Sequence, residues 1–427
     1  MTKCAFIPNF LRFYNILWQA ALPFLRRNQR LAPSFGRRLG TSHLKPANIW
    51  FQAASAGEAF LALSILRTLA PDRPLTVLVT TTTDQGLEIL ENGIAARPLH
   101  PNVTPVIDRF PFDVPGTVQN AVRRINPNVM VLLETELWPA LLHALKQNNT
   151  RIFVLNARMS SKSFRHYRAT RFLWRYLAPD HVLAISPADA RRWAGVFCQT
   201  RVGTMENIKF DIMDTGDTQA DSPDLSRLFP GDLPLSVLAS VRKAEEPDVI
   251  GLVRSLKTAF PGQVITIFPR HMHRIAAISG QLEKSGIAHT LRSELAGPVT
   301  APTVILWDRF GELRAAYAHA ATVFVGGSLK PLGGQNFIEP AVFGIPTVTG
   351  PFWDDFAWVG SDIFDAGIVT RCAHAREVAE TMVRHLETPP DISANRQNAH
   401  AYIREHQGGS AQACQAILEA LPPSPQG

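Results

Sequence analysis

Ile49-Trp50-Phe51-Gln52-Ala53-Ala54-Ser55-Ala56-Gly57-Glu58-Ala59-Phe60 is the stretch from which the architecture unfolds. Ile49 to Ala54 is a short apolar run of strand character. A turn of small residues follows, and then a helical run from Phe60 to Leu69. A strand that passes into a helix through glycine and small residues lets a ligand approach the backbone, and it sets Glu58 in the first helical turn at the mouth of a sheet. A carboxylate there serves as general base toward a hydroxyl if partial burial raises its pKa. A helix start also favours glutamate for its macrodipole alone.

The same strand-then-helix alternation continues on either side. Leu75 to Thr80, Val129 to Leu133, Arg151 to Leu155 and His181 to Ile185 read as buried parallel strands separated by crossover helices, so residues 46–210 form a doubly wound α/β domain. Residues 211–233 lose the periodicity to Asp, Thr, Gly, Ser and Pro, as a linker does. A second alternating series follows: Leu235 to Ala239, Gln263 to Phe268, Thr303 to Leu306, Thr322 to Val325 and Pro346 to Val348. It makes residues 234–420 a second α/β domain whose last helix is able to pack back on the first. Ligands of such domains bind outside the carboxyl ends of the strands. A chain of 427 residues, 46% hydrophobic and 19% charged, has material for two cores and is neither disordered nor fibrous.

Residues 1–45 read differently. No Asp or Glu precedes Glu58, whereas Lys3, Arg12, Arg26, Arg27, Arg30, Arg37, Arg38 and Lys45 supply eight positive charges, more than the net +7 of the chain. Phe10, Phe13, Tyr14, Leu17, Trp18, Ala21 and Leu25 recur at helical spacing opposite Arg12, Asn15 and Gln19. This is the pattern of a helix lying in an anionic lipid interface, and a core-packing helix would share it. The run is too short and too interrupted to span a bilayer, Pro23 is placed to kink or end it, and no cleavage site follows. The expectation is a peripheral attachment. Cys4, Cys198, Cys372 and Cys414 show no paired spacing, which fits a reducing compartment.

Several motifs sit at strand ends. Thr80 to Thr83 offers four hydroxyls, though threonine is common in strands and at helix caps. Glu134-Thr135-Glu136-Leu137-Trp138-Pro139 places two acids directly after a strand, suited to a hydroxylated acceptor or a basic partner. Asn156-Ala157-Arg158 ends the next strand, and Lys209 is a cation that can meet negative charge on a donor. In the second half Pro269-Arg270-His271 closes a strand with a guanidinium suited to phosphate. Gly326-Gly327-Ser328 and Gly333-Gly334-Gln335-Asn336 precede the helix containing Glu339. Two glycine loops with a downstream acid make a nucleotide cradle. No Asp-x-Asp occurs and the histidines form no ligand array, so neither metal nor cofactor is expected. Arg, Lys and helix dipoles must neutralise a leaving phosphate.

Taken in order, these stretches, together with Asn156-Ala157-Arg158-Met159-Ser160, Asn207-Ile208-Lys209-Phe210-Asp211 and Gly311-Glu312-Leu313, closely resemble the Kdo (3-deoxy-D-manno-octulosonic acid) transferases. The resemblance runs from about residue 50 to residue 340. It implies a GT-B enzyme, two Rossmann-like domains facing a central cleft. It implies inverting, metal-independent transfer of Kdo from CMP-Kdo to a lipid A precursor at the cytoplasmic face of the bacterial inner membrane. By the same resemblance Glu58 is the catalytic base, and Glu134 or Glu136, with Lys209, stabilises the transition state. CMP is held by Pro269 and Arg270, by Phe310, Gly311 and Glu312, and by Asn336, Phe337, Ile338 and Glu339, with Gly326, Gly327 and Ser328 as phosphate loop. The alternatives are a GT-B transferase of another nucleotide sugar, a sugar-nucleotide epimerase or, more remotely, a non-catalytic membrane or nucleic-acid binder; no nucleic-acid partner is expected.

Three departures from the family pattern stand out. Ser240 to Glu246 replaces a Thr-His-x-Gly stretch, Gln335 replaces a histidine, and Met272 replaces a proline.

Overall fold

A computed structural model of the chain describes residues 6–29, 31–213, 223–229 and 233–423. It divides into two compact units, Met1–Met213 with His406–Gly427, and Asp214–Glu405. Lys3, Arg30, most of the linker and the last four residues lie outside the described residues.

The first unit holds seven parallel strands: β1 (Ile49–Ala53), β2 (Leu75–Thr81), β3 (Val103–Arg109), β4 (Val129–Leu133), β5 (Arg151–Ala157), β6 (His181–Ala184) and β7 (Arg201–Thr204). Their order is β3-β2-β1-β4-β5-β6-β7. Ile49 pairs with Val77 on one side and Val129 on the other, so β1 lies in mid-sheet with every residue buried. That position explains its unbroken apolar run, because a parallel strand covered by helices on both faces has no side to give to water.

Alternate residues point to two cores. Trp50, Met130, Leu132, Ile152 and Val154 meet the helices Pro115–Ile125, Pro139–Gln147 and Arg171–Leu177. Ile49, Phe51, Val131 and Leu155 meet the helix Ala56–Thr68 and the last helix, Gly409–Ala420, which therefore belongs to the first unit. Strands β3 and β7, absent from the sequence reading, are the sheet's edges; their mixed burial hides the apolar signal.

The amino-terminal helix Phe6–Arg27 continues through Pro23, so of the two expectations, a kink or an end, Pro23 does not end it. Its apolar stripe is divided. Ile7, Phe10 and Leu11 join a core of the first unit, Trp18 packs on Phe112 with ring centroids 5.8 Å apart, and the Tyr14 hydroxyl donates to Asp113 Oδ2 at 3.0 Å. Phe13, Ile16, Leu17 and Phe24 face outward, Phe24 being 73% exposed. The sequence reading placed Phe10, Tyr14 and Trp18 in a single lipid-facing stripe with Phe13 and Leu17. The correction has a physical cause: three large aromatic rings at i, i+4 and i+8 meet an apolar surface already present on the protein. Among the described residues no helix is long and apolar enough to cross a membrane.

The second unit holds β8 (Leu235–Val241), β9 (Val264–Pro269), β10 (Thr290–Leu291), β11 (Val304–Leu306), β12 (Thr322–Val325), β13 (Thr347–Thr349) and β14 (Val369–Arg371), all parallel, in the order β10-β11-β9-β8-β12-β13-β14. Within the expected linker, Pro223–Leu228 is a helix with Leu225 buried. Each sheet reverses its strand order once, between β1 and β4 in the first unit and between β8 and β12 in the second. Chains leaving the two central strands at such a point run in opposite directions and leave a crevice at their carboxyl ends.

Candidate active site

Glu58 lies at the switch point of the first sheet. Ser55 caps the helix Ala56–Thr68 by accepting from the Glu58 amide at 3.3 Å, and its hydroxyl donates to Glu58 Oε1 at 3.0 Å. The Ala54 amide donates to Glu58 Oε2 at 2.7 Å. These bonds to both oxygens hold the carboxylate in place. Glu58 is only 7% exposed. Burial, then the charge of Glu136 and to a smaller extent that of Glu134, pushes its carboxyl up to about 8, against the two hydrogen bonds that favour ionisation.

That coupling places all three acids together, at the ends of β1 and β4. Glu134 has φ +54°, a left-handed conformation that costs a non-glycine residue roughly 1 to 3 kcal/mol. Its Oε1 accepts from Lys209 Nζ at 2.9 Å. Thr135 donates its hydroxyl to the Arg158 carbonyl. Glu136 accepts from the Trp138 indole at 2.9 Å, and burial raises its carboxyl as well. Lys209 is delivered by a short helix, Ile208–Ile212, capped by Asn207. The Ile208 amide in turn donates to Asn156 Oδ1 at 2.9 Å. Asn156, read from sequence as part of a ligand fork, is buried at φ +53° and holds the lysine helix in place.

Of the four threonines, Thr80 and Thr81 are buried, Thr82 is partly buried and Thr83 is exposed. Thr80 is buried between Trp50 and Gln52, Thr82 donates to the Ala54 carbonyl, and Thr83 caps the helix Asp84–Ala96.

In the second unit Pro269 is buried at the end of β9 and Arg270 is exposed beyond it. Gly326-Gly327-Ser328 leaves β12 beside the end of β8. Glu245 stands behind this loop with no exposed surface, accepting from the amides of Gly327 and Leu329 and from Arg242 N at 2.9 Å. A Cβ on Gly326 would lie 2.5 Å from Glu245 Oε1, and Gly327 has φ +69°. Sequence reasoning missed Glu245, although it lies in the stretch that departs from the family pattern. Arg242 and Gln335, from two of the departures, both border Gly327.

Ser328 does not face a ligand: it is buried and bonded to Val325 and Gly350. Phe337 and Ile338 are also buried, so only their backbones are available. Glu339 is partly buried, its carboxyl raised by burial and drawn down by Arg314. Phe310 is 87% exposed, Gly311 has φ +88°, and Glu312 is tied to the buried Arg292 at 3.0 Å.

A further surface escaped the sequence reading. Residues 161–177 contain Lys162, Arg165, Arg168, Arg171 and Arg175 and no acid, and these five basic residues are exposed with Phe172 and Tyr176. The absence of acid over two consecutive helices was the available signal. Burial raises the hydroxyl of Tyr167 from the same segment, and the nearby charge of Glu136 adds to it.

The family model described as 3-Deoxy-D-manno-octulosonic-acid transferase (kdotransferase) matches residues 30–212. The 3-deoxy-D-manno-octulosonic acid transferase of Bordetella pertussis is 29% identical, with 95% of each chain covered. That of Haemophilus influenzae is 27% identical over 93% of this chain and 92% of its own. Among solved structures, Anabaena HepE in complex with UDP matches 88% of this chain and 99% of its own, with TM-score 0.56 and 15% identity. A glycosyltransferase from Rickettsia africae matches 90% and 100%, with TM-score 0.57 and 10% identity. At such identities these structures speak for the fold alone, which is GT-B. The match over residues 30–212 and the similarity to these transferases over most of the chain support a 3-deoxy-D-manno-octulosonic acid transferase, and the chain is a glycosyltransferase.

Proposed function

We propose that the protein transfers Kdo from CMP-Kdo to a hydroxyl of the lipid A precursor, in one inverting displacement without a metal ion. The observation that carries this reading is Glu58, a buried carboxyl raised to about 8 at the sheet's switch point and flanked by Glu136 and the Glu134–Lys209 pair. Near neutral pH a fraction of such a group is ionised and basic enough to take a proton from an alcohol as it attacks. The acceptor oxygen bonds to the anomeric carbon of Kdo, the bond from that carbon to the phosphate oxygen breaks, the proton passes to Glu58, and CMP departs with its charge increased by one. CMP is already a good leaving group, so the protein supplies alignment, the base and charge neutralisation.

On the donor side, the exposed Arg270 suits phosphate and Glu339 suits the ribose, while the Gly326 and Gly327 amides, bonded to the Ala239 carbonyl and to Glu245, shape the loop rather than donate to the ligand. Pro269, Gly311 and the backbone from Asn336 to Ile338 border the same nucleotide.

The acceptor's acyl chains stay in the bilayer. The outward apolar face of the amino-terminal helix and the basic surface of residues 161–177 fit an anionic membrane, which we assign to the cytoplasmic side of the inner membrane.

The test is transfer from CMP-Kdo to a tetraacylated lipid A precursor in EDTA, followed by product mass. Addition of one or more Kdo units supports the reading, and the mass counts them. If folded, CMP-binding enzyme transfers nothing, the donor or acceptor is another, and Arg242 and Gln335 beside Gly327 are the place to look for an altered nucleotide-sugar preference.

A further inference from the structure

Asp113 takes no part in the site described above, yet it is 1% exposed and bonded on both carboxylate oxygens. It lies in Phe110-Pro111-Phe112-Asp113-Val114-Pro115, between β3 and the helix Pro115–Ile125. Oδ1 accepts from Leu141 N at 2.8 Å, and Oδ2 accepts from Ala140 N at 3.1 Å and from the Tyr14 hydroxyl at 3.0 Å.

The two amides open the helix Pro139–Gln147. That helix begins awkwardly: its cap residue is Trp138, whose side chain caps nothing, and Pro139 has no N–H. The first free donors are Ala140 and Leu141, and a carboxylate from elsewhere in the chain satisfies both.

The segment just before this helix is Glu134-Thr135-Glu136-Leu137-Trp138. It is anchored to β4 at one end and to Asp113 at the other. The Trp138 indole donates to Glu136 Oε2 and packs on Phe110 at 5.5 Å. Phe112, next to Asp113, packs on Trp18 of the amino-terminal helix. We infer that Asp113 is a positioning residue: it fixes the helix start that sets Trp138 and Glu136, and through Tyr14 it joins that start to the amino-terminal helix.

Burial drives the Asp113 carboxyl up to about 7, and its three donors oppose this. The groups facing it are the Tyr14 hydroxyl from the amino-terminal helix and the two amides of the Pro139–Gln147 helix. An asparagine in its place offers one acceptor and a competing donor to these three, so the helix start must shift.

The test is Asp113→Asn, with Tyr14→Phe as the milder variant, assayed for kcat, for donor KM and for the acid limb of kcat/KM against pH. Asp113 is not among the charges acting on Glu58, whereas Glu136 is. A lower-pH acid limb in Asp113→Asn therefore reports displacement of Glu136, which a general loss of stability would not produce. The expected result is a kcat lower by roughly tenfold to a hundredfold, a donor KM unchanged within about twofold, and an acid limb moved to lower pH. Tyr14→Phe should move both readouts the same way and less. A folded Asp113→Asn enzyme with wild-type kcat and acid limb would overturn the inference. If Asp113→Asn does not fold, wild-type values in Tyr14→Phe overturn it. The acid-limb readout rests on Glu58 as base, and Glu58→Gln separates the two ideas. If Glu58→Gln retains activity, the base assignment fails and the kcat of Asp113→Asn alone decides.

Discussion

The two switch points of this protein are built from different materials. Between β1 and β4 the crevice is lined by side chains, Glu58, Glu134, Glu136 and Lys209, each held by a specific neighbour, with burial and then the charges of Glu136 and Glu134 raising the Glu58 carboxyl. Between β8 and β12 it is lined by backbone, with Gly326 and Gly327 buried, their amides bonded to the Ala239 carbonyl and to Glu245, and Glu245 standing behind the loop as a brace. The first is a place where protonation is tuned, so its failures should be chemical and show in kcat. The second is a place where backbone must come close, so its failures should be steric and show in nucleotide affinity.

Glu58→Gln should have the largest effect, a kcat loss of about a thousandfold, with CMP binding intact by calorimetry. A loss below tenfold would break the assignment of base chemistry to the first unit. In the wild type, kcat/KM should rise tenfold per pH unit and level off near pH 8, as Glu58 loses its proton.

Stability runs the other way. A carboxyl raised from 4.5 to about 8 contributes stability fully present below 4.5 and lost as pH climbs through 8. The Glu58→Gln variant should therefore gain on the wild type in thermal melting between pH 5 and pH 9. An unchanged difference would place the raised carboxyl in doubt.

Next in size, Lys209→Met and Glu134→Gln should each lower kcat by about a hundredfold, and the double variant by far less than the product, since each removes the same pair. Full additivity would separate Lys209 from Glu134 functionally.

Gly326→Ala should weaken CMP by roughly tenfold, because its Cβ meets both Glu245 Oε1 at 2.5 Å and the Ala239 carbonyl at 2.9 Å. Its kcat at saturating donor should stay near wild type. A kcat defect with normal affinity would erase the contrast between the two sites.

Gln335→His, the smallest change, should alter donor KM by about two- to tenfold, the worth of one hydrogen bond, and leave the pH profile unmoved.

Much of this is legible in the amino-acid sequence. The strand ends at Ala53, Leu133, Val325 and their neighbours follow from buried apolar runs bounded by small and polar residues, since parallel strands leave that mark directly. Glu58 was visible for the same reason, being placed by the turn after β1. The edge strands β3, β7, β10 and β14 were not visible, because half-covered or very short strands lack the apolar run. Asn156, Ser328, Thr80 and Thr82 looked like ligand groups because residue type cannot tell a polar group spent inside the protein from one offered outside.

The sequence by itself determined two α/β units, the chain positions of the glycine loops and acids, and a basic amino terminus, all of them properties of local pattern and composition. Tertiary structure alone decided that Glu58 feels Glu136, that Glu245 braces Gly327, that Asp113 reaches the start of a helix 26 residues on, and which aromatic rings of the amino-terminal helix turn inward. Those facts depend on which groups become neighbours and how much water is excluded between them, and neither distance nor dielectric is written in local pattern.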